Sequence, residues 1–96
     1  ADVIVAEEAY RIGLVNKVVE PEALMDECMD MAKKIAAKAP LAVRYVKEAI
    51  NRGVETDIDT GISIESDLFG LCFSTEDQKE GMQAFLGKRG AEFKKR

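Results

Sequence analysis

The sequence predicts a mainly α domain of four or five helices with one short extended segment. Three observations lead to that reading. Apolar residues recur at helical spacing over most of the chain, the breaks between these stretches fall at glycines, prolines and capping residues, and only one stretch is rich in β-branched residues.

Taken in order, Glu7-Glu8-Ala9-Tyr10-Arg11-Ile12-Gly13 reads as a short helix stopped by glycine, because Gly13 takes the left-handed conformation that closes a helix C-terminus. Leu14 to Val19 is the extended segment, interrupted by Asn16 and Lys17, and Glu20-Pro21-Glu22 marks the turn out of it. From Pro21 to about Lys38, Leu24, Cys28, Met31 and Ile35 fall on one helix face. Acidic Glu22, Asp26, Glu27 and Asp30 come early and Lys33, Lys34 and Lys38 late, which complements the helix dipole at both ends. Pro40 opens the next helix, where its missing N–H is no loss, and Gly53 closes it. These two helices are expected to pair antiparallel.

Thr56 or Asp57 caps a further helix that runs to about Phe73. Its apolar residues, among them Ile58, Ile62, Leu68, Phe69 and Cys72, cover an arc wide enough for more than one neighbour. Glu65 falls inside that arc and needs a partner, with Arg44 and Lys47 as candidates. Thr75 and Gln78 have capping-box spacing at the start of the last helix, which carries Met82, Phe85 and Leu86 as its ridge. After Gly90 comes a tail in which Phe93 is expected to dock while the charges stay in water.

Composition narrows the function. With 96 residues, 47% of them apolar, the chain has material for one core. A charged fraction of 33%, mixed in sign and netting −4, gives no field that draws nucleic acid or an anionic membrane. No apolar run approaches the roughly 20 residues of a bilayer span, so the expectation is a soluble, cytoplasmic protein with neither nucleic-acid nor membrane partners. The absence of histidine removes the commonest metal ligand and general base. Cys28 and Cys72 read as reduced packing residues rather than a metal or redox pair. The chain begins at Ala1 without an initiator Met and enters directly into Val3-Ile4-Val5, which reads as a piece of something longer.

The segment from Leu68-Phe69-Gly70 through Ser74-Thr75-Glu76-Asp77-Gln78-Lys79-Glu80-Gly81-Met82 to Phe85-Leu86-Gly87-Lys88-Arg89 resembles the closing pattern of the crotonase, or enoyl-CoA hydratase/isomerase, family. Upstream, Ala6-Glu7-Glu8-Ala9 with Gly13-Leu14-Val15-Asn16-Lys17 is similar to that family's alanine-rich helix and following strand. Ala39-Pro40-Leu41-Ala42 and Lys47-Glu48-Ala49-Ile50-Asn51 resemble the helices between. The blocks come in the family's order. The resemblance therefore implies that residues 1–96 are the C-terminal helical, trimerisation domain of such an enzyme, with the catalytic spiral core absent.

Within the family the chain looks most like the short-chain enoyl-CoA hydratases, which reversibly hydrate 2-enoyl-CoA to 3-hydroxyacyl-CoA. The resemblance implies an oxyanion hole of two backbone N–H groups and a pair of glutamates, all N-terminal to this chain, so Glu7, Glu8, Glu22, Glu65 and Glu80 do not inherit catalytic roles. It implies no cofactor, since the coenzyme A thioester is the substrate. It also implies binding residues: Lys88 matches the position that offers a lysine to the coenzyme A 3′-phosphate, often across a subunit boundary. Phe85, one turn earlier, lies near the adenine in the family, and Phe69 matches an aromatic that lines the acyl pocket.

Lys88 belongs to a basic group with Arg89, Lys94, Lys95 and Arg96, in an otherwise acidic chain; a plainer role for these cations is to complement a helix end and a solvated tail. The expected partners are acyl-CoA in the intact enzyme and further copies of the chain, as a trimer or dimer of trimers. Alone, the piece is expected to be inactive and to self-associate, as a dimer with exchanged helices, because uncovered apolar faces seek partners. Two other readings stand beside this one: a free-standing helical interaction module, and the same part of a crotonase-family isomerase or thioesterase.

Overall fold

Every regular element in the computed structural model, which describes all 96 residues, is helical. The α-helices are α1 (Ala6–Arg11), α2 (Leu24–Ala36), α3 (Pro40–Gly53), α4 (Ile58–Cys72) and α5 (Glu76–Leu86), with one 3₁₀ turn at Pro21–Ala23. The chain divides into two units, Ala1–Lys33 and Lys34–Arg96, and α2 runs across the boundary.

In the first unit, α1 ends as its sequence predicts. Gly13 takes a φ of +79°, its N–H donates to the Tyr10 carbonyl at 3.1 Å, and the Leu14 N–H reaches back to Ala9 at 2.8 Å. This is the double closure of a Schellman motif, and it satisfies two carbonyls that the helix would leave open. The expected extended segment differs. Leu14–Asn16 forms a bend and residues 17–20 have no regular structure, because a strand needs a neighbour to bond its backbone and this stretch has none. Lys17 instead ion-pairs with Glu27 of α2. Cys28 is exposed rather than packed in a core, alongside Val19, Leu24 and Met31 in a shallow groove.

In the second unit, α3 starts at Pro40 and ends at Gly53, the positions its proline and glycine mark. Asp57 caps α4, accepting from the Thr60 N–H at 3.0 Å and the Thr60 hydroxyl at 2.6 Å. The partner against which α3 packs is α4, where the sequence pointed to the preceding helix. The pair is antiparallel, since Ala42 lies by Cys72 at one end and Gly53 by Ile58 at the other. A Cβ at Gly61 would sit 3.6 Å from the Gly53 backbone, so two glycines let the helices approach closely where the chain reverses. Thr75 caps α5 by accepting from the Gln78 N–H at 3.1 Å, but the reciprocal half of the capping box is absent: the Thr75 N–H is already bonded to the Cys72 carbonyl at 3.1 Å.

The buried apolar residues are few for the length, a single leucine and two alanines: Ala9, Leu68 and Ala84. The accessible surface is 8158 Å². A folded monomer of 10.6 kDa has about 5,500 Å², so the chain keeps roughly half as much again in contact with solvent. Much of the excess is apolar, including Ile58, Ile62 and Phe69 on α4 and Phe85 and Leu86 on α5. No helix is long and apolar enough to cross a membrane.

Candidate functional site

The C-terminal end of α5 holds two of the three residues that the sequence singles out. Helix α5 closes with the same pair of bonds as α1: the Lys88 N–H donates to Phe85 at 3.2 Å and the Arg89 N–H to Ala84 at 3.0 Å. Here, however, the left-handed position is filled by Lys88, at a φ of 51°, in place of glycine. For an L-residue with a Cβ this conformation costs roughly 1–2 kcal/mol, so the surroundings must hold it.

Beyond Lys88 the chain forms a strap. Residues 89–96 double back along α5 from its C-terminal to its N-terminal end. Arg89 forms a bidentate ion pair with Glu80 at 2.6 and 3.1 Å, and the Glu92 N–H donates to the same carboxylate at 3.0 Å. Phe93 lies over Gly81, 3.5 Å from where a Cβ would stand. Further along, the carboxylate of Asp77 accepts the N–H of Lys94 at 2.7 Å on one oxygen and that of Lys95 at 2.8 Å on the other. The Asp77 N–H in turn donates to the Arg96 carbonyl at 2.8 Å. Asp77 is only 2% exposed, and a buried carboxylate is tolerated when its lone pairs are met by donors, as these are.

The pairing sorts the basic cluster. Arg89 is committed to Glu80, and Arg96 lies 3.9 Å from Glu76. Lys88 sits at the apex of the reversal, exposed and without an ion pair. Phe85, 80% exposed, is tied to it through the backbone bond already described. Both residues are thus exposed at the turn that closes α5, three positions apart in the chain. Such a pair suits an anionic group attached to a planar ring.

Phe69 stands elsewhere, on α4, 63% exposed and edge-to-face with Phe73 at a centroid distance of 5.2 Å. It lines the groove between α3 and α4 with Tyr45, Val46, Leu68 and Cys72. Glu65 borders the same groove, exposed, and neither Arg44 nor Lys47 pairs with it. Two other glutamates are visibly structural. Arg11 holds Glu8 below the ordinary carboxylate range, and Glu80 is pulled from 4.5 to about 2, first by Arg89 and then by the Glu92 N–H. A general acid working near neutrality needs the opposite shift.

Asp77 and Glu80 are the residues the sequence reading missed. In the sequence Asp77 stands only as part of the segment that opens the last helix, and Glu80 only as one of the glutamates without a catalytic role. The available signal was the run of acids at Glu76, Asp77 and Glu80 matched against a basic tail of similar length.

The chain matches the enoyl-CoA hydratase/isomerase family over residues 1–96, and it belongs to that family. Among its relatives, the crotonyl-CoA hydratase of Syntrophomonas wolfei is 62% identical over 93 residues, covering 97% of this chain and 36% of the relative. The short-chain-enoyl-CoA hydratase of Clostridium acetobutylicum is 58% identical over 94 residues, again covering 97% of this chain and 36% of the relative. The crystal structure of an enoyl-CoA hydratase from Bacillus anthracis superposes with a TM-score of 0.90 at 40% identity, over 95% of this chain and 35% of that one. The chain thus spans about a third of the length of the proteins it matches.

Proposed function

We propose that residues 1–96 are the C-terminal helical part of a short-chain enoyl-CoA hydratase, a cytoplasmic lyase of fatty-acid or butyrate-type metabolism. The intact enzyme adds water across the α,β double bond of a 2-enoyl-CoA, with hydroxyl to the β carbon and a proton to the α carbon, and runs the reverse reaction equally. The observation that carries this reading is the 62% identity to a protein named crotonyl-CoA hydratase across nearly the whole chain. In this assignment the proton-transferring carboxylates lie outside the chain. The coenzyme A thioester is the substrate, and no further cofactor is required.

This part then supplies two things. Its exposed apolar faces on α3 and α4 are covered in the assembled enzyme, by the remainder of the protein and by further copies in a trimer or dimer of trimers. Its Lys88 and Phe85 receive the 3′-phosphate and adenine of coenzyme A, and Phe69 borders the acyl chain. The charge, exposure and adjacency of Lys88 and Phe85 support the first assignment, and the apolar groove around Phe69 supports the second.

A spectrophotometric assay tests the division of labour. The isolated chain is expected to leave crotonyl-CoA unchanged, whereas the intact enzyme consumes it. Appreciable turnover by the isolated chain would overturn the placement of catalysis elsewhere. In the intact enzyme, Lys88→Ala is expected to raise KM for crotonyl-CoA about tenfold with kcat little changed, the signature of lost ground-state binding through one charge-assisted contact.

A further inference from the structure

The strap gives Asp77 and Glu80 a role that the proposed function does not assign. Each ties residues after the reversal back onto α5, and the reversal has Lys88 at its apex in a conformation that an unconstrained lysine avoids. Two fixed arms on either side of one strained residue leave it little freedom. The Arg89 guanidinium, the immediate neighbour, is held by Glu80, so it neither competes with Lys88 for an anion nor swings the apex away. Asp77 clamps the far end of the strap from within the protein, where its 2% exposure makes the two backbone bonds hard for water to replace.

We propose that Asp77 and Glu80 are positioning residues for the coenzyme site: by anchoring the C-terminal strap they hold Lys88 in its left-handed conformation and aim its ammonium group at the ligand's phosphate. The inference rests on the reading of Lys88 as a phosphate ligand. It adds that the ligand's affinity depends on two carboxylates that never touch it. Preorganisation is the physical reason. A cation already fixed at the binding edge loses little freedom when the anion arrives, whereas a cation on a loose tail must be ordered at that moment.

The test uses the intact enzyme with two substrates, crotonyl-CoA and the same thioester lacking the 3′-phosphate, and reads the ratio of their KM values. Lys88→Ala is expected to shift this ratio about tenfold by raising KM for crotonyl-CoA alone. Asp77→Asn and Glu80→Gln are each expected to move it the same way, by about threefold or more, and to add nothing when combined with Lys88→Ala. Amide exchange at Lys94 and Lys95 should quicken in Asp77→Asn, reporting that the strap has come free. A purely structural role would depress kcat or stability for both thioesters alike and leave the ratio unmoved. If Lys88→Ala shifts the ratio while the two carboxylate variants leave it at the wild-type value, the positioning role is wrong and the coenzyme reading survives. If Lys88→Ala itself leaves the ratio unchanged, the coenzyme reading fails and takes this inference with it. Should Asp77→Asn not fold, Glu80→Gln alone decides.

Discussion

Two helices in this chain end with the same pair of backbone bonds, one around Gly13 and the other around Lys88, and the contrast isolates what a side chain costs in a left-handed turn. Replacing Lys88 with glycine removes the Cβ conflict and should stabilise the fold by about 1 kcal/mol, seen as a higher melting temperature, while weakening acyl-CoA binding by the intact enzyme. The mirror experiment, Gly13→Ala, should lose a similar amount, about 1 kcal/mol. No atom lies within 4 Å of the added methyl, so any loss comes from the backbone conformation and not from a clash. Only one of these stops was legible. At Gly13 the residue type and the required φ coincide. At the end of α5 the glycines are at 87 and 90, either side of the residue that takes the left-handed turn, and local propensity points to the wrong position. Asp77 was hidden for a different reason: its partners are backbone N–H groups, which every residue but proline carries and no sequence pattern advertises.

At the level of elements, helix boundaries were largely readable because their causes are local. Pro40 and Gly53 bracket α3, Asp57 caps α4 and Thr75 caps α5, each within a turn of the residue that sets it. Pairings were not. The partner of α3 and the carboxylate anchors of the strap depend on tertiary contacts, although the docking of Phe93 was legible, and Leu14–Val19, rich in β-branched residues, forms no strand where it has no neighbour to join. The strap also carries a pH dependence. Glu80 is depressed in the folded chain from 4.5 to about 2, so the stabilisation it brings is fully present above pH 4.5 and is lost as the pH falls towards about 2. An acid titration followed by amide exchange at Glu92 should show that N–H losing protection across this window. Glu80→Gln should abolish the dependence. Loss of protection beginning near neutral pH would count against Glu80 as the anchor.

For the molecule as a whole, the apolar arc of α4, wide enough for more than one neighbour, packs within its unit against one helix, α3. Ile58, Ile62 and Phe69, which line the grooves along that pair, remain largely in water. The chain alone is therefore expected to self-associate. Sedimentation at rising concentration should reveal dimers or larger species, and a dye sensitive to apolar surface should bind strongly and be displaced as they form. A well-behaved monomer at high concentration that binds no dye would argue that the exposed faces have another explanation. The candidate site follows the same division: Lys88 and Phe85 meet at one backbone turn by virtue of local geometry, whereas what faces Phe69 is decided by whatever covers the groove.

The surplus of about 2,700 Å² left in solvent has a thermodynamic corollary. The heat-capacity increment of unfolding scales with the apolar area newly hydrated, and here much of that area is hydrated already. The free-energy curve of the lone chain should thus be shallow, with little curvature between its cold and hot limits. The steep, sharply bounded curve of an ordinary domain would return only when the outer faces of α3 and α4 are covered, so calorimetry would report assembly as much as folding.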